Sequence, residues 1–171
     1  MNSDYNLVLR LKDKDEEAFN VLYERYFRLV KHVTLQIIPS DNIAEDIVQQ
    51  TFIKMYNNID SYKNDVSFSA WLCTIAKNLA LNEMKKQSRL TQLPEYEVKD
   101  DSSSPSGEYQ SKELIQQIKD LLGVKDYNLL MLRLYHGLSY KELSDMTGET
   151  IAALTNRYHR AVKKVKKLLK S

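Results

Sequence analysis

The chemistry most plainly written into this chain lies at its C-terminal end. Residues 151–171 hold Arg157, Arg160, Lys163, Lys164, Lys166, Lys167 and Lys170 with no acid, a local charge of +7 where the whole protein carries +2. On one helical face Asn156, Arg157 and Arg160 offer amide and guanidinium groups of the kind that pair with base edges. Lys163 and Lys164 follow, placed to neutralise phosphates and to make binding sensitive to salt. Ala152, Ala153 and Thr155 precede them, and small residues let a helix approach a groove closely. The same charge would also suit a basic helix on a solvated bundle, so the punctuation upstream decides. An apolar stretch (Leu129, Leu130, Met131, Leu132, Leu134) stops at His136-Gly137. Ser139-Tyr140-Lys141-Glu142 has the form of a capping box, Thr147-Gly148 that of a sharp turn, and Thr150 that of an N-cap. Cap, turn and basic face together predict a DNA-binding helix-turn-helix over residues 128–169.

A second set of polar residues runs through residues 68–89. Phe68, Leu72, Ile75 and Leu79 are the expected core stripe. Beside it Trp71, Thr74, Asn78, Asn82, Lys85 and Arg89 fall along one edge. An aromatic surface, amides and cations in a row suit stacking, base-edge bonding and phosphate contact. The preceding loop, Asn64, Asp65, Val66 and Ser67 after Lys63, is short and polar and could line a small pocket. An ordinary solvated flank of an amphipathic helix reads the same way, and composition leaves the two open.

A third set lies on residues 41–56. Ala44, Ile47, Val48, Thr51, Phe52 and Met55 make a helical core stripe, and Asp46, Gln49, Gln50 and Ile53 fall opposite. An isoleucine among acids and amides is either a stray exposed apolar residue or part of a contact surface.

Chemistry of other kinds is not written here. The three histidines, His32, His136 and His159, lie far apart, and the lone Cys73 has no disulfide partner in the chain. Cys73 reads as a structural thiol in preference to a redox sensor. There is no Gly-rich phosphate loop and no nucleophile triad. The chain is therefore expected to be non-enzymatic, with no cofactor and no metal. No apolar run approaches the roughly 20 residues needed to cross a bilayer, and the N-terminus lacks the form of a secretion signal, so a cytoplasmic protein without membrane insertion is expected.

These residues need helices to position them. No glycine precedes Gly107 and only Pro39 interrupts the first ninety residues, which read as long helices. The acids Asp13, Asp15, Glu16 and Glu17 suit a helix start, followed by Ala18, Leu22, Tyr26, Leu29 and Val33 on one face. Pro39-Ser40-Asp41 should end that helix and cap the next. Pro94, Pro105, Gly107 and a serine run then break the pattern, and residues 90–110 carry five acids against Lys99. With no strand alternation, the chain reads as all-α: a helical domain over 1–89, a flexible acidic linker over 90–109 and a smaller domain over 110–171.

Taken in order, the motifs resemble those of bacterial extracytoplasmic-function (group IV) sigma factors across nearly the whole chain. Asp41-Asn-Ile-Ala-Glu45-Asp46-Ile-Val-Gln-Gln50-Thr-Phe52 is similar to the family's Asp-x-x-Ala-Glu-Asp-x-x-Gln-x-x-Phe helix. Phe68-Ser-Ala-Trp71-Leu72-Cys-Thr-Ile-Ala-Lys-Asn78 is similar to its Phe-x-x-Trp-Leu-x-x-Ile-Ala-x-Asn stretch. The segment from Gly137 through Ala161 is similar to the domain that reads the minus-thirty-five promoter element. The resemblance implies sigma region 2 over 1–89 and region 4 over 110–171. It implies docking on core RNA polymerase, at the beta-prime clamp helices and the beta flap, with Asp41, Glu45, Asp46, Gln49, Gln50 and Ile53 on the clamp-facing helix. It implies melting of the minus-ten element and capture of a flipped base by Asn64 to Phe68 and Asn78, with Trp71, Thr74, Asn82, Lys85 and Arg89 on adjoining single-stranded DNA. Ser139, Tyr140, Lys141, Thr150, Ala152, Ala153, Thr155, Asn156, Arg157, Arg160, Lys163 and Lys164 would face duplex DNA. An anti-sigma factor, which can be membrane-anchored, is a further implied partner. This chain departs from the family in having Ala153-Leu154-Thr155-Asn156 where many members have Thr-Val-Lys-Ser, and Thr150 where proline is frequent.

Two rivals carry distinct expectations. A stand-alone helix-turn-helix regulator would bind duplex DNA without polymerase. A helical protein-interaction module would tolerate loss of the basic C-terminal helix.

Overall fold

The computed structural model describes residues 3–90 and 109–170, and every regular element among them is helical. Helices α1 (Ser3–Lys12), α2 (Glu16–Leu35), α3 (Asp41–Asn58) and α4 (Phe68–Leu90) come first, with a 3-10 turn at Ile59–Ser61. They are followed by α5 (Tyr109–Leu134), α6 (Tyr140–Thr147) and α7 (Ile151–Leu168). The linker expected over 90–109 lies outside the described residues except at its ends, where Leu90 closes α4 and Tyr109 opens α5. The chain divides into two compact units, one of residues 1–92 with 141–148, the other of residues 93–140 with 149–171.

The first unit is built on α2, α3 and α4 packed on one another, with α1 against α2. Asp15 caps α2, its carboxylate accepting from the Glu17 and Ala18 amides. Ser40 stands at the N-cap of α3, as its sequence position predicts, but makes no side-chain cap bond. The core stripe of α3 is the expected one: Ala44, Ile47, Val48, Thr51, Phe52 and Met55 are all buried. Burying a leucine or phenylalanine side chain contributes about 1.5–3 kcal/mol, so Leu22, Phe52, Phe68 and Leu72 dominate this core.

On α4 the observed stripe differs from the expected one. Leu72 is buried, but Cys73, Ala76 and Ala80 are the residues that continue the stripe, while Ile75 and Leu79 are only half-buried. The small Ala80 packs against larger partners, sharing a cluster with Ile38 and Ile47.

In the second unit α5 is interrupted at Gly123, whose φ of 73° and ψ of 164° are not helical. A residue with a Cβ would be strained there, so glycine sets the break. Leu122, Leu130 and Ala161 form the core, with Ile118, Tyr127, Tyr158, Val162 and Val165 packed against it. Helix α5 ends at Leu134, and the Leu138 amide donates back to the Leu132 carbonyl at 3.0 Å.

Candidate nucleic-acid interface

The edge of α4 next to its core stripe is open. Thr74, Asn78, Asn82, Lys85 and Arg89 are exposed at intervals of three and four residues, which places them in one row. Asn82, Lys85 and Arg89 line a shallow groove together with Lys86 and Leu90, two residues the sequence reading did not single out. The Thr74 hydroxyl donates to the Ala70 carbonyl at 2.8 Å, which leaves its methyl and a lone pair outward. Trp71, half-buried at the head of the row, rests between Tyr62 and Phe68, with ring centroids 5.2 and 5.8 Å away.

Phe68 is corrected by the structure. It was expected both in the α4 core stripe and among the base-contacting residues, and at 1% exposed it belongs to the core. Its ring packs on Tyr26 at 5.5 Å and on Tyr62 at 5.6 Å. It is the floor under Trp71, out of reach of a ligand.

The loop before α4 presents its polar groups as expected. Asn64 and Asp65 are exposed, Val66 and Ser67 half-buried. Asn64 has a φ of 57°, a left-handed conformation that asparagine tolerates better than most residues. Residues 141–148 belong to this same unit, and the Ser67 amide donates to Asp145 at 3.1 Å while the Ser69 hydroxyl meets Glu142 at 2.9 Å. Asp145 is further held by Lys141 at 2.5 Å. Burial alone would raise the Asp145 pKa, but the Lys141 and Ser67 bonds outweigh it and hold the carboxyl below its ordinary range.

The outer face of α3 is a different kind of surface. Asp46, Gln49, Gln50 and Ile53 are exposed, Ile53 at 60%. Ile53 borders a groove of about 370 Å³ that it shares with Glu16, Phe19, Asn20 and Tyr56. Asp41 and Glu45 are also exposed but turn toward Lys31, whose ammonium lies 3.2 and 3.1 Å from them. The Glu45 and Asp41 bonds raise the Lys31 pKa. Lys31 was missed because nothing local ties it to residues ten and fourteen positions later.

The C-terminal basic helix is capped as predicted: the Thr150 hydroxyl accepts from the Ala153 amide at 3.2 Å. Gly148, with a φ of 75°, makes the turn before it. Ala152, Ala153, Asn156, Arg160, Lys163 and Lys164 are exposed. A basic groove runs on past them along His159, Lys163, Lys166 and Lys170. Thr155 is half-buried and its hydroxyl donates to the Ile151 carbonyl. Ile151 is 47% exposed; Leu154 and Ala161 are the buried residues of this helix.

Arg157 is the second correction. Its guanidinium does not join the exposed row but pairs with Glu149 at 2.6 Å and Asp126 at 3.0 Å, and its side chain is 18% exposed. Of the remaining expected residues, Ser139 is exposed. Tyr140 is half-buried, with Arg133 over its ring at 4.9 Å and Tyr158 at 6.1 Å. Lys141 is exposed and engaged with Asp145. Among the described residues no His, Cys, Asp or Glu cluster could hold a metal, and no helix is long and apolar enough to cross a membrane.

The helical units carry an open polar edge, an acid–amide face and a basic capped helix, and the comparisons give the family. The family model Sigma-70 region 2 matches residues 22–90. The ECF RNA polymerase sigma-E factor of Escherichia coli (strain K12) is 30% identical over 173 residues, covering 93% of this chain and 90% of the relative. That of Haemophilus influenzae is 29% identical, covering 93% and 91%. A solved structure of CnrH in complex with the cytosolic domain of CnrY has a TM-score of 0.63 at 20% identity, over 99% of this chain and 98% of that one. RpoE in complex with the anti-sigma factor NepR, from Bartonella quintana, gives 0.58 at 23% identity, over 89% and 96%. At such identities the two structures establish likeness of fold. The chain belongs to the ECF RNA polymerase sigma factors, which are not an enzyme class.

Proposed function

We propose that the chain docks on core RNA polymerase through the outer face of α3, and that α4 with its preceding loop opens and holds the minus-ten element. In this reading Asp46, Gln49, Gln50 and Ile53 meet the beta-prime clamp helices, and Asp41 and Glu45, oriented by Lys31, frame that face. Residues 1–89 act as sigma region 2, residues 110–171 as region 4, and residues 90–109 as the linker. The observation that carries the proposal is the open row Thr74, Asn78, Asn82, Lys85 and Arg89, headed by Trp71, inside the segment matched by the Sigma-70 region 2 model. Amides for base edges, an indole to stack on and cations for phosphates are the groups single-stranded DNA requires. Unstacking a base costs a few kcal/mol, which stacking at about 1–3 kcal/mol per base can offset.

Helix α7 reads duplex DNA at the minus-thirty-five element through Ala152, Ala153, Asn156 and Arg160, with Lys163 and Lys164 on phosphates. Ser139, Tyr140, Lys141, Thr150 and Thr155 are assigned to the same duplex, and Arg157 acts by fixing α7. CnrH was solved in complex with the cytosolic domain of CnrY, and the sigma factor RpoE with the anti-sigma factor NepR; an anti-sigma factor that covers this chain's polymerase- and DNA-facing residues follows as a proposal. The work would take place where polymerase is, in the cytoplasm. A stand-alone regulator has no use for the α3 face and is disfavoured by the family assignment.

The test is run-off transcription by core polymerase with and without the chain on genomic fragments. Promoter-specific starts that require the chain are expected. Asn78→Ala should lose open complex while retaining core binding; equal loss of both would remove the α4 edge from the DNA interface.

A further inference from the structure

Between the 3-10 turn and α4 the chain runs through a polar loop, residues 63–67, that has no ladder of its own to hold it. Tyr62 precedes that loop and is 4% exposed. Its hydroxyl donates to the Val66 carbonyl at 2.7 Å and lies 3.1 Å from the Asn64 side-chain oxygen. One hydroxyl therefore spans the loop from its second residue to its fourth. Its ring stands edge-on to Phe68 and tilted against Trp71, at 5.6 and 5.2 Å. The backbone of Tyr62 is fixed as well: its amide donates to the Ile59 carbonyl at 3.1 Å, and its carbonyl accepts from the Lys12 ammonium at 3.0 Å. Burial, with the charges of Asp4, Asp65 and Asp145 adding to it, pushes the phenol up to about 12, so it keeps its proton across the physiological range.

Asn64 makes that bond matter. Its left-handed backbone is a sparsely occupied conformation, and such conformations persist where surrounding contacts over-determine them. The Tyr62 hydroxyl is the side-chain contact that ties this turn to the rigid aromatic cluster. We propose that Tyr62 is a positioning residue for minus-ten recognition, its hydroxyl holding residues 63–67 in the form that presents Asn64, Asp65 and Ser67 beside Trp71. This rests on the assignment of the loop and α4 edge to the minus-ten element. Tyr62 touches no DNA itself. Phenylalanine at this position keeps both ring contacts but releases the Val66 carbonyl.

The test uses holoenzyme assembled from core polymerase and the full chain, on a promoter that the wild-type holoenzyme opens. Tyr62→Phe, Tyr62→Leu and Asn78→Ala are compared with wild type. The readouts are affinity for core, affinity for a fork-junction fragment with a single-stranded minus-ten element, and the spread of affinities when the captured base is varied. For Tyr62→Phe core affinity should be unchanged, and fork-junction affinity should fall about three- to tenfold, the worth of one net hydrogen bond. The spread among bases should narrow with it. Tyr62→Leu should lose more, since the support of Trp71 goes too. Fork-junction affinity and base preference unchanged in Tyr62→Phe while Asn78→Ala weakens binding would overturn the positioning role alone. An Asn78→Ala holoenzyme that binds the fork junction as wild type does would overturn the minus-ten assignment, and this proposal with it. Core and fork-junction binding falling together in Tyr62→Phe would make Tyr62 a stability residue only.

Discussion

Replacing Arg157 with alanine separates two accounts of the basic helix. If Arg157 contacted DNA, the substitution would weaken promoter binding and leave folding alone. In the structure its guanidinium holds Glu149 through bonds of 2.6 and 2.7 Å and Asp126 at 3.0 Å, with side-chain exposures of 18%, 40% and 28% for Arg157, Glu149 and Asp126. That lies between exposed pairs, worth about 0–1 kcal/mol, and buried ones, whose breaking costs about 3–5 kcal/mol. Both acids sit at helix starts: Glu149 immediately before the Thr150 cap, Asp126 in the first turn after the Gly123 break. The helix dipole keeps favouring each carboxylate by about 0.3–1 kcal/mol after the arginine has gone. The expected loss is therefore about 1–2 kcal/mol, borne by the second unit. Peptide-resolved hydrogen exchange on the full chain reads this directly, because α5 and α7 should exchange roughly 5–30 times faster where exchange follows opening of that unit. Promoter affinity measured across salt concentrations supplies the other half. Arg157→Ala should leave the slope of log affinity against log salt unchanged, whereas Arg160→Ala, at an exposed position, should lower it by about 1 if Arg160 neutralises a phosphate. Unchanged exchange together with a reduced slope for Arg157→Ala would refute the inward assignment.

Ile53→Asp should weaken core polymerase binding at least tenfold while the melting temperature of the free chain stays put, because the side chain is 60% exposed and leaves no cavity; competition for core against the wild-type chain measures it. Cys73 should resist a thiol reagent in the native chain and react in denaturant. Burial pushes its thiol up to about 12, so almost no thiolate exists at neutral pH, and the sulfur has no access to solvent. Rapid native labelling would contradict the assignment of Cys73 as a packing residue.

The sequence was most readable where one element decided its own fate. The α3 stripe, the Thr150 cap and the Gly148 turn each follow from neighbours within a few residues, and each is present. It was least readable where a distant residue decided. Helical spacing put Phe68 in the α4 core stripe while the family resemblance put it among the base contacts, and the contact that decides is distant: Tyr26, forty-two positions earlier, packs on it from α2. Arg157 reads as one cation in a basic row because its two acids lie eight and thirty-one positions away. On α4 the bulky Ile75 and Leu79 drew the expected stripe, yet Cys73, Ala76 and Ala80 are inside, where bulky partners such as Ile38 and Ile47 from outside the helix fill the space beside Ala80.

The packing of α3 on α4 bears on how the proposed functions are joined. Ile47 of α3 and Ala80 of α4 share one cluster, with Ile43 and Leu79 packed against it. Asp46 adjoins Ile47 in the chain, and Asn78 and Asn82 lie two residues either side of Ala80. The proposed polymerase face and the proposed single-strand edge are therefore the outer sides of two helices whose inner sides are a single packed layer. A close-packed layer leaves little room for one helix to turn against the other without clashes or voids. Docking through α3 would then fix the orientation of the α4 edge as a rigid body, with no rearrangement inside the unit. The part left to adjust is the loop of residues 63–67, which the Tyr62 hydroxyl ties at Val66 and the Asp145 carboxylate at Ser67.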